Sequence, residues 1–334
     1  MRTQMRKTGF LTAVCFLMLA PVVFLTGAAS AAYPEKEITV INGSDPGTSG
    51  DILARALTEA ASKILGKPFV MEHKVGASGL LAGSSVVAAK PDGYTIGMMT
   101  ISGIIEGTIS QKAPFRPLSS FTPILTNFAA EHTVTIVAPN AIWKTFKELV
   151  DYAKKNPGKI KMGVSIGSGM HMAMEVVRHQ EGINWEYVPF KGGAATRTAI
   201  MGGHVEVATT SVDWPPFAEA GQVRALVTHG RERSPHSPNV PTLIELGYNF
   251  AAVTPYGFMG PAGLSPEVTA TLENAFIKAM ETPEYKTAMQ KVIYMSPFYL
   301  NSKDFGRYLR ERWVEQEKFM KQLGFIKEAA TPPE

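Results

Sequence analysis

Short apolar runs alternate along the chain with longer stretches whose apolar residues recur every three or four positions. Residues 38–41 (Ile-Thr-Val-Ile) form a β-rich run that ends in a glycine-rich loop, and residues 52–65 follow at helical spacing until Gly66 stops them. Residues 69–72 predict the next strand, 80–89 a helix, and 94–99 a third strand after the Pro91-Asp92-Gly93 turn. The pattern then starts afresh. Strands are expected over 134–137, 160–164, 185–188, 205–208 and 224–229, with helices over 145–156, 170–180 and 195–201. After Pro255 come a strand-like stretch at 256–259 and two helices, 266–281 and 303–323. Phe305, Leu309, Trp313, Met320 and Leu323 make an apolar stripe on the last of these, which reads as a core-facing surface. Strands alternating with helices predict an α/β fold in which mainly parallel sheets carry helices on their faces.

Glycine, serine and threonine cluster where these strands run into helices: Gly43 to Asp51, Ser165-Ile166-Gly167-Ser168-Gly169, and Phe190-Lys191-Gly192-Gly193. A helix N-terminus leaves its first N–H groups unpaired and carries about half a positive charge, so small residues there let an anion approach the backbone. Several such loops in one chain suggest a single pocket for a carboxylate or phosphate. Lys191 and Arg197 are the nearest cations, each able to pair with a ligand carboxylate or to remain a solvated surface charge.

Composition narrows the field. Arg2, Arg6 and Lys7 precede an apolar run over 10–25 that closes in Ala29-Ser30-Ala31, the layout of a cleaved secretory signal, so residues 1–31 are expected to be removed and the mature protein to start near Ala32. The run is shorter than the roughly 20 residues a membrane span needs, and no later run is long or apolar enough. Cys15, the one cysteine, lies in this leader, so thiol catalysis, disulfides and cysteine metal sites are not expected in the mature chain. Three of the 33 basic residues leave with the leader and 30 then face 29 acidic ones, which gives no ground for nucleic-acid binding. About 303 residues remain, enough to favour two domains. The seven histidines are scattered without ligand spacing, so no metal or other cofactor is expected.

Gly163-Val164-Ser165-Ile166-Gly167 matches the G-x-S-x-G of a nucleophile elbow between a strand and a helix, with Asp213 and His229 or His236 available to complete a triad. The plainer reading is a glycine-rich turn whose Ser165 hydroxyl and following N–H groups hold an anion, since no oxyanion-hole segment precedes it. The first loop lacks the lysine of a P-loop and does not fit G-x-G-x-x-G. Asp51 reads by default as a residue of the helix N-terminus. Asp45 reads as a turn residue beside Pro46, although facing a cleft it could hold an ammonium or hydroxyl group.

The chain resembles the periplasmic solute receptors of tripartite tricarboxylate transporters, the Bug family, from Tyr33-Pro34 to about Gly324. The likeness rests on Tyr33-Pro34-x-Lys36-x-Ile38-Thr39, Lys90-Pro91-Asp92-Gly93-Tyr94-Thr95, Val188-Pro189-Phe190-Lys191-Gly192-Gly193, Gly202-Gly203-His204-Val205-Glu206, and Arg233-Ser234-Pro235 through Val240-Pro241-Thr242. It implies a two-lobed, periplasmic-binding-protein-like fold with ligand in the interlobe cleft, lobe 1 comprising residues 32–131 and 254–334 and lobe 2 residues 132–253. It further implies that backbone N–H groups, hydroxyls and ordered waters hold the ligand carboxylate, which points to Gly47, Thr48 and Asp51, to Ser165, Gly167 and Ser168, and to Lys191, Gly192 and Gly193. Where the family commonly has Pro-Phe-x-x-Gly-Gly, this chain has Gly43-Ser44-Asp45-Pro46-Gly47-Thr48, a loop shaped for a different ligand.

The expectation is therefore a periplasmic solute-binding protein, not an enzyme. As a monomer it captures a small carboxylate (a di- or tricarboxylate or an aromatic acid) and presents it to the membrane permease subunits of the transporter. Phe190 and Trp214 are candidates for the walls of an apolar middle section of the site, or for core. A serine hydrolase using Ser165, and a sensor acting on a membrane kinase, are the alternatives.

Overall fold

The computed structural model describes residues 33–111, 113–292, 294–324 and 326; the leader, with Cys15 and the expected cleavage site, lies outside the described residues. The chain begins with β1 (Ile38–Asn42), α1 (Ser49–Leu65), β2 (Phe69–His73), a single tight turn at Ala77–Gly79, α2 (Leu80–Val87) and β3 (Thr95–Thr100). β1 pairs in parallel with both β2 and β3, as helical crossovers dictate. α3 (Ile101–Ser110) and β4 (Phe121–Ala130) follow, and the chain then leaves this sheet.

The next segment comprises β5 (Val134–Val137), α4 (Phe146–Lys155), β6 (Lys161–Val164), α5 (Gly169–Glu181), β7 (Glu186–Pro189), α6 (Gly193–Met201), β8 (Val207–Thr210), α7 (Pro215–Glu219) and β9 (Arg224–Thr228). Its five strands form a second sheet in the order β7-β6-β8-β5-β9. The chain returns with β10 (Thr254–Pro261), α8 (Pro266–Met280), α9 (Pro283–Lys291), β11 (Met295–Asn301) and α10 (Ser302–Gln322), completing a six-stranded sheet in the order β11-β4-β10-β3-β1-β2.

Both sheets are mixed rather than mainly parallel. In the first, β10 runs antiparallel to β3 and β4, and β11 antiparallel to β4; in the second, β5 runs antiparallel to β8 and β9. The reason lies in the path of the chain. It leaves the first sheet at Ala130 and re-enters beside it at Thr254, which pairs with Ala130, so the outgoing and returning strands must point in opposite directions. The parallel half of each sheet is the half built by helical crossovers, and the antiparallel half carries the two connections between sheets.

Burial follows the periodicity. On α10, Phe305, Leu309, Trp313 and Met320 are buried in one core together with β-strand residues of both sheets. A second core sets Leu53, Leu57, Leu272 and Phe276 of α1 and α8 against Ile38, Val40, Ile96 and Phe258, with the Phe258 and Phe276 rings 4.5 Å apart. Each such buried Phe or Leu stabilises by about 1.5–3 kcal/mol relative to an exposed one. A third core, around Val134, Ile136, Ile200 and Trp214, belongs to the second sheet. No helix of the described residues is long and apolar enough to cross a membrane.

Candidate functional site

A cavity of about 110 Å³ lies where the loops leaving the parallel strands of the two sheets face one another. The first sheet lends Gly43, Ser44, Asp45 and Thr48 after β1, Val75, Ser78 and Gly79 after β2, and Thr100 and Ser102 after β3. From the second come Ser165, Ser168 and Gly169 after β6, Lys191 to Ala194 after β7, and Ser211 after β8. Ala130, Thr133 and Thr254, on the two connections, close one side. Open α/β sheets take ligands outside the carboxyl ends of their strands, and this cavity lies there.

The first loop is held in shape by Asp51. One oxygen of its buried carboxylate accepts from the Gly47 N–H at 2.9 Å and from Arg55 Nε at 3.0 Å, and the other from Asn42 Nδ2 at 3.0 Å, with His73 Nε2 at 2.8 Å. Asn42 Oδ1 in turn accepts from the Ser44 N–H. Burial raises the Asp51 carboxyl, but the Gly47 N–H, His73 and Arg55 outweigh it and hold the group below its ordinary value. Its stabilising effect is therefore present above the ordinary carboxylate range and lost as pH falls through the lowered folded value. Asp51→Ala is expected to weaken ligand binding through the loop and to lower the unfolding free energy at neutral pH by about 1.5–3 kcal/mol. Urea melts of wild type and variant should converge as the pH is lowered into the acid range.

Across the cavity, Ser78 links the two sides. Ala77 and Ser78 sit at φ 46° and 56°, the left-handed region that non-glycine residues rarely occupy and that costs of order 1–3 kcal/mol at such a site. In that conformation the Ser78 hydroxyl donates to the Ile166 carbonyl at 2.6 Å, and Ser165 Oγ lies 2.8 Å from it. With its one proton committed to Ile166, Ser78 accepts from Ser165. Gln111 Nε2 reaches the same carbonyl at 3.0 Å.

Helix termini set the electrostatics. Ser168 caps α5 by accepting from the His171 N–H, but no side chain caps α6 at Gly192 or α3 at Thr100, both of which line the cavity. Unpaired N–H groups at these ends favour an anion. Among the described residues lining the cavity, Asp45 and Lys191 are the only charged ones. Hydroxyls of Ser102 and Thr254, 3.2 Å apart, add donors that can turn toward a ligand.

Of the nine residues marked by sequence, Thr48, Ser165, Ser168, Lys191, Gly192 and Gly193 line the cavity. Gly47 and Asp51 build the loop behind it, and Gly167 packs between the α5 start and α3, where a Cβ would stand 2.8 Å from Ser110 Oγ. Asp45 is more than a turn residue: its carbonyl closes the turn by accepting from Thr48, while its side chain lines the cavity. Ser78, Thr100, Ser102, Thr133, Ser211, Thr254 and Tyr256 join the site without having been marked. For Ser78 the signal was present in Gly76-Ala77-Ser78-Gly79, a small-residue turn, and for Ser102 in Thr100-Ile101-Ser102-Gly103, where a strand runs directly into a helix.

Neither Phe190 nor Trp214 lines this cavity. Trp214 is buried in the third core with Nε1 donating to the His132 carbonyl, and Phe190 packs on that core under Gly163. Arg197 lies over the Phe217 ring at 4.2 Å, outside the cavity lining. The hydrolase triad is likewise not assembled. Ser165 gives its proton to Ser78, Asp213 accepts from Ser49, and the buried His229 has Nδ1 against Thr133 Oγ1 at 3.0 Å and Nε2 against Thr135 Oγ1 at 2.9 Å. Burial pushes the His229 imidazole down to about 3. His236 instead meets the Tyr294 ring edge to face.

The sequence matches the model of the tripartite tricarboxylate transporter family receptor over residues 53–325. It is 33% identical to the "UPF0065 protein in gbd 5'region" of Cupriavidus necator, covering 96% of this chain and 97% of that one. Among solved structures, the periplasmic binding protein BugD superimposes with a TM-score of 0.80 at 25% identity, over 88% of this chain and 99% of its own. An R. palustris protein solved with adipate superimposes with a TM-score of 0.77 at 24% identity, over 87% and 98%, and shares the fold. The matched family is one of solute-binding receptors, not of enzymes. With its two mixed α/β sheets and a polar cavity at their carboxyl ends, the chain belongs to the tripartite tricarboxylate transporter receptor family, the Bug family.

Proposed function

We propose that this protein is exported by its leader to the periplasm, where it captures a small carboxylate between two lobes, residues 32–131 with 254–334 and residues 132–253, and presents it to the membrane permease of a tripartite transporter. The observation that carries this reading is a cavity where the uncapped N-terminus of α3 meets a ring of hydroxyls, and where Lys191 and Asp45 flank the uncapped start of α6. Such a site stabilises a carboxylate with aligned N–H dipoles and hydroxyls, and needs no arginine. Thr48, Ser165, Ser168, Lys191, Gly192 and Gly193 are the proposed contacts, joined by Ser78, Ser102 and Thr254; Gly47, Asp51 and Gly167 shape the loops behind them. The adipate found in a protein of the same fold agrees with a carboxylate ligand.

A ligand that touches both lobes only when they are closed shifts the population toward closure, and the permease would read that state. The test is a thermal-shift screen of the mature protein against mono-, di- and tricarboxylates, aromatic acids and neutral amides. A dose-dependent rise in Tm with a carboxylate class supports the reading. Silence for every acid, with no ligand carried through purification, overturns it.

A further inference from the structure

Asp45 stands in the turn after β1 with its backbone fixed: the Thr48 N–H and hydroxyl both donate to its carbonyl, at 3.3 and 2.8 Å, and the neighbouring Gly47 N–H is held by Asp51. Its carboxylate reaches across the cavity to the start of α6. There Gly192 leaves room for it, since a Cβ on Gly192 would stand 2.9 Å from Asp45 Oδ2. No hydrogen bond or ion pair to a described residue satisfies that carboxylate, although Lys191, Arg197 and His73 are close enough to lower its pKa against the burial that raises it. The other carboxylates that shape these loops accept hydrogen bonds, Asp51 from four groups and Asp213 through Oδ1 from Ser49, while Asp213 Oδ2 is buried without a partner among the described residues. The Asp45 carboxylate is half-buried and open to the cavity, so a donor on a bound solute would take the place of water there.

We propose that Asp45 accepts a hydrogen bond from the solute itself, so that the site selects carboxylates bearing a hydroxyl, amine or amide donor at the end remote from the bound carboxylate. This rests on the carboxylate reading above. Because Asp45 occupies the space before α6, the solute carboxylate is directed to the α3 end, beside Ser102 and Thr254. A second carboxylate at the Asp45 end would meet a like charge at close range, a repulsion of about 1–4 kcal/mol between exposed and partly buried limits, or roughly five- to a thousandfold in affinity.

Calorimetric titrations of full-length mature protein and of Asp45→Asn, which keeps the size and the turn, test this with matched four- and six-carbon series: succinate, 4-hydroxybutanoate and 4-aminobutanoate; adipate, 6-hydroxyhexanoate and 6-aminohexanoate. Wild type is expected to prefer a donor-bearing acid over the matched diacid by about tenfold or more, and Asp45→Asn to lose that preference by gaining diacid affinity. Carboxylate binding in which wild type favours the diacid, or in which Asp45→Asn leaves the ratio unchanged, overturns this inference alone. Silence of both proteins toward every acid of both series overturns it together with the carboxylate reading.

Discussion

Gly103→Ala is expected to lower ligand affinity by at least about tenfold and the unfolding free energy by about 1–3 kcal/mol, the cost of forcing an extra methyl group into a packed site. Gly103 lies in the first turn of α3, against the tight turn after β2. A Cβ there would stand 1.7 Å from the Ser78 carbonyl oxygen and 2.7 Å from Thr100 Oγ1. The first obstacle is backbone, and it belongs to a residue already held at positive φ, so it cannot move aside like the end of a side chain. Displacing it breaks the bonds from Ser78 to Ser165 and to the Ile166 carbonyl, and shifts Thr100 at the uncapped start of α3. Gly107→Ala is the control: the added Cβ would come no closer than 3.5 Å to Leu80, an ordinary contact, and alanine favours the helix. Paired urea melts and calorimetric titrations should separate the two variants. Equal behaviour would contradict the role assigned to the Ser78 turn.

Asp213→Ala is expected to reduce affinity by ten- to a hundredfold while leaving the Tm of the ligand-free protein little changed. Asp213 Oδ1 accepts from the N–H and the hydroxyl of Ser49, joining the segment after β8 to the first residue of α1. Hydrogen bonds to a charged group contribute about 1.5–3 kcal/mol, and on the proposed closure of the two lobes a bond lost on opening would appear in the apparent ligand affinity. Neither Ser49 nor Asp213 belongs to the apolar cores, so folding should not depend on the link. Titration together with small-angle scattering checks both halves: the variant should need more ligand to reach the compact state. Unaltered affinity would show that this bond contributes nothing to closure.

The sequence patterns located most elements, including β5, whose four residues are all buried, and lost α3, β4, α9 and β11. α1, α4 and α10 carry apolar residues at helical spacing and lie within a few residues of expectation. α3 and β4 escaped. α3 holds Gly103 and Gly107 and is buried on nearly every side, so it shows neither strong propensity nor a polar face. β4 contains Pro123 and is buried at most positions on both faces, which removes the alternation that marks a half-exposed strand. β11 contains Pro297 and pairs with a register shift, and α9 lacks a buried stripe, with Tyr285 its one buried residue. The mixed character of the sheets was hidden for a different reason. Strand direction depends on where a distant segment re-enters, and the pairing of Thr254 with Ala130 spans the whole second sheet.

The site was legible where glycine-rich turns end strands, because the chemistry of anion binding at helix starts is local. Ser165, Ser168 and Lys191 to Gly193 illustrate this. Thr133, Thr254 and Tyr256 enter the cavity only through the connections between sheets, which local patterns do not encode. Trp214 shows the converse: an aromatic residue next to the right loops, turned into the core of its own sheet.

The most direct test of the central claim is calorimetric titration of the strongest carboxylate from the thermal-shift screen into wild type, Ser165→Ala and Ser78→Ala. A single site per chain is predicted, with affinity reduced at least about fivefold in each variant through loss of a hydroxyl from the cavity wall. Absence of heat for every carboxylate, or wild-type affinity in both variants, would contradict a carboxylate held in this cavity.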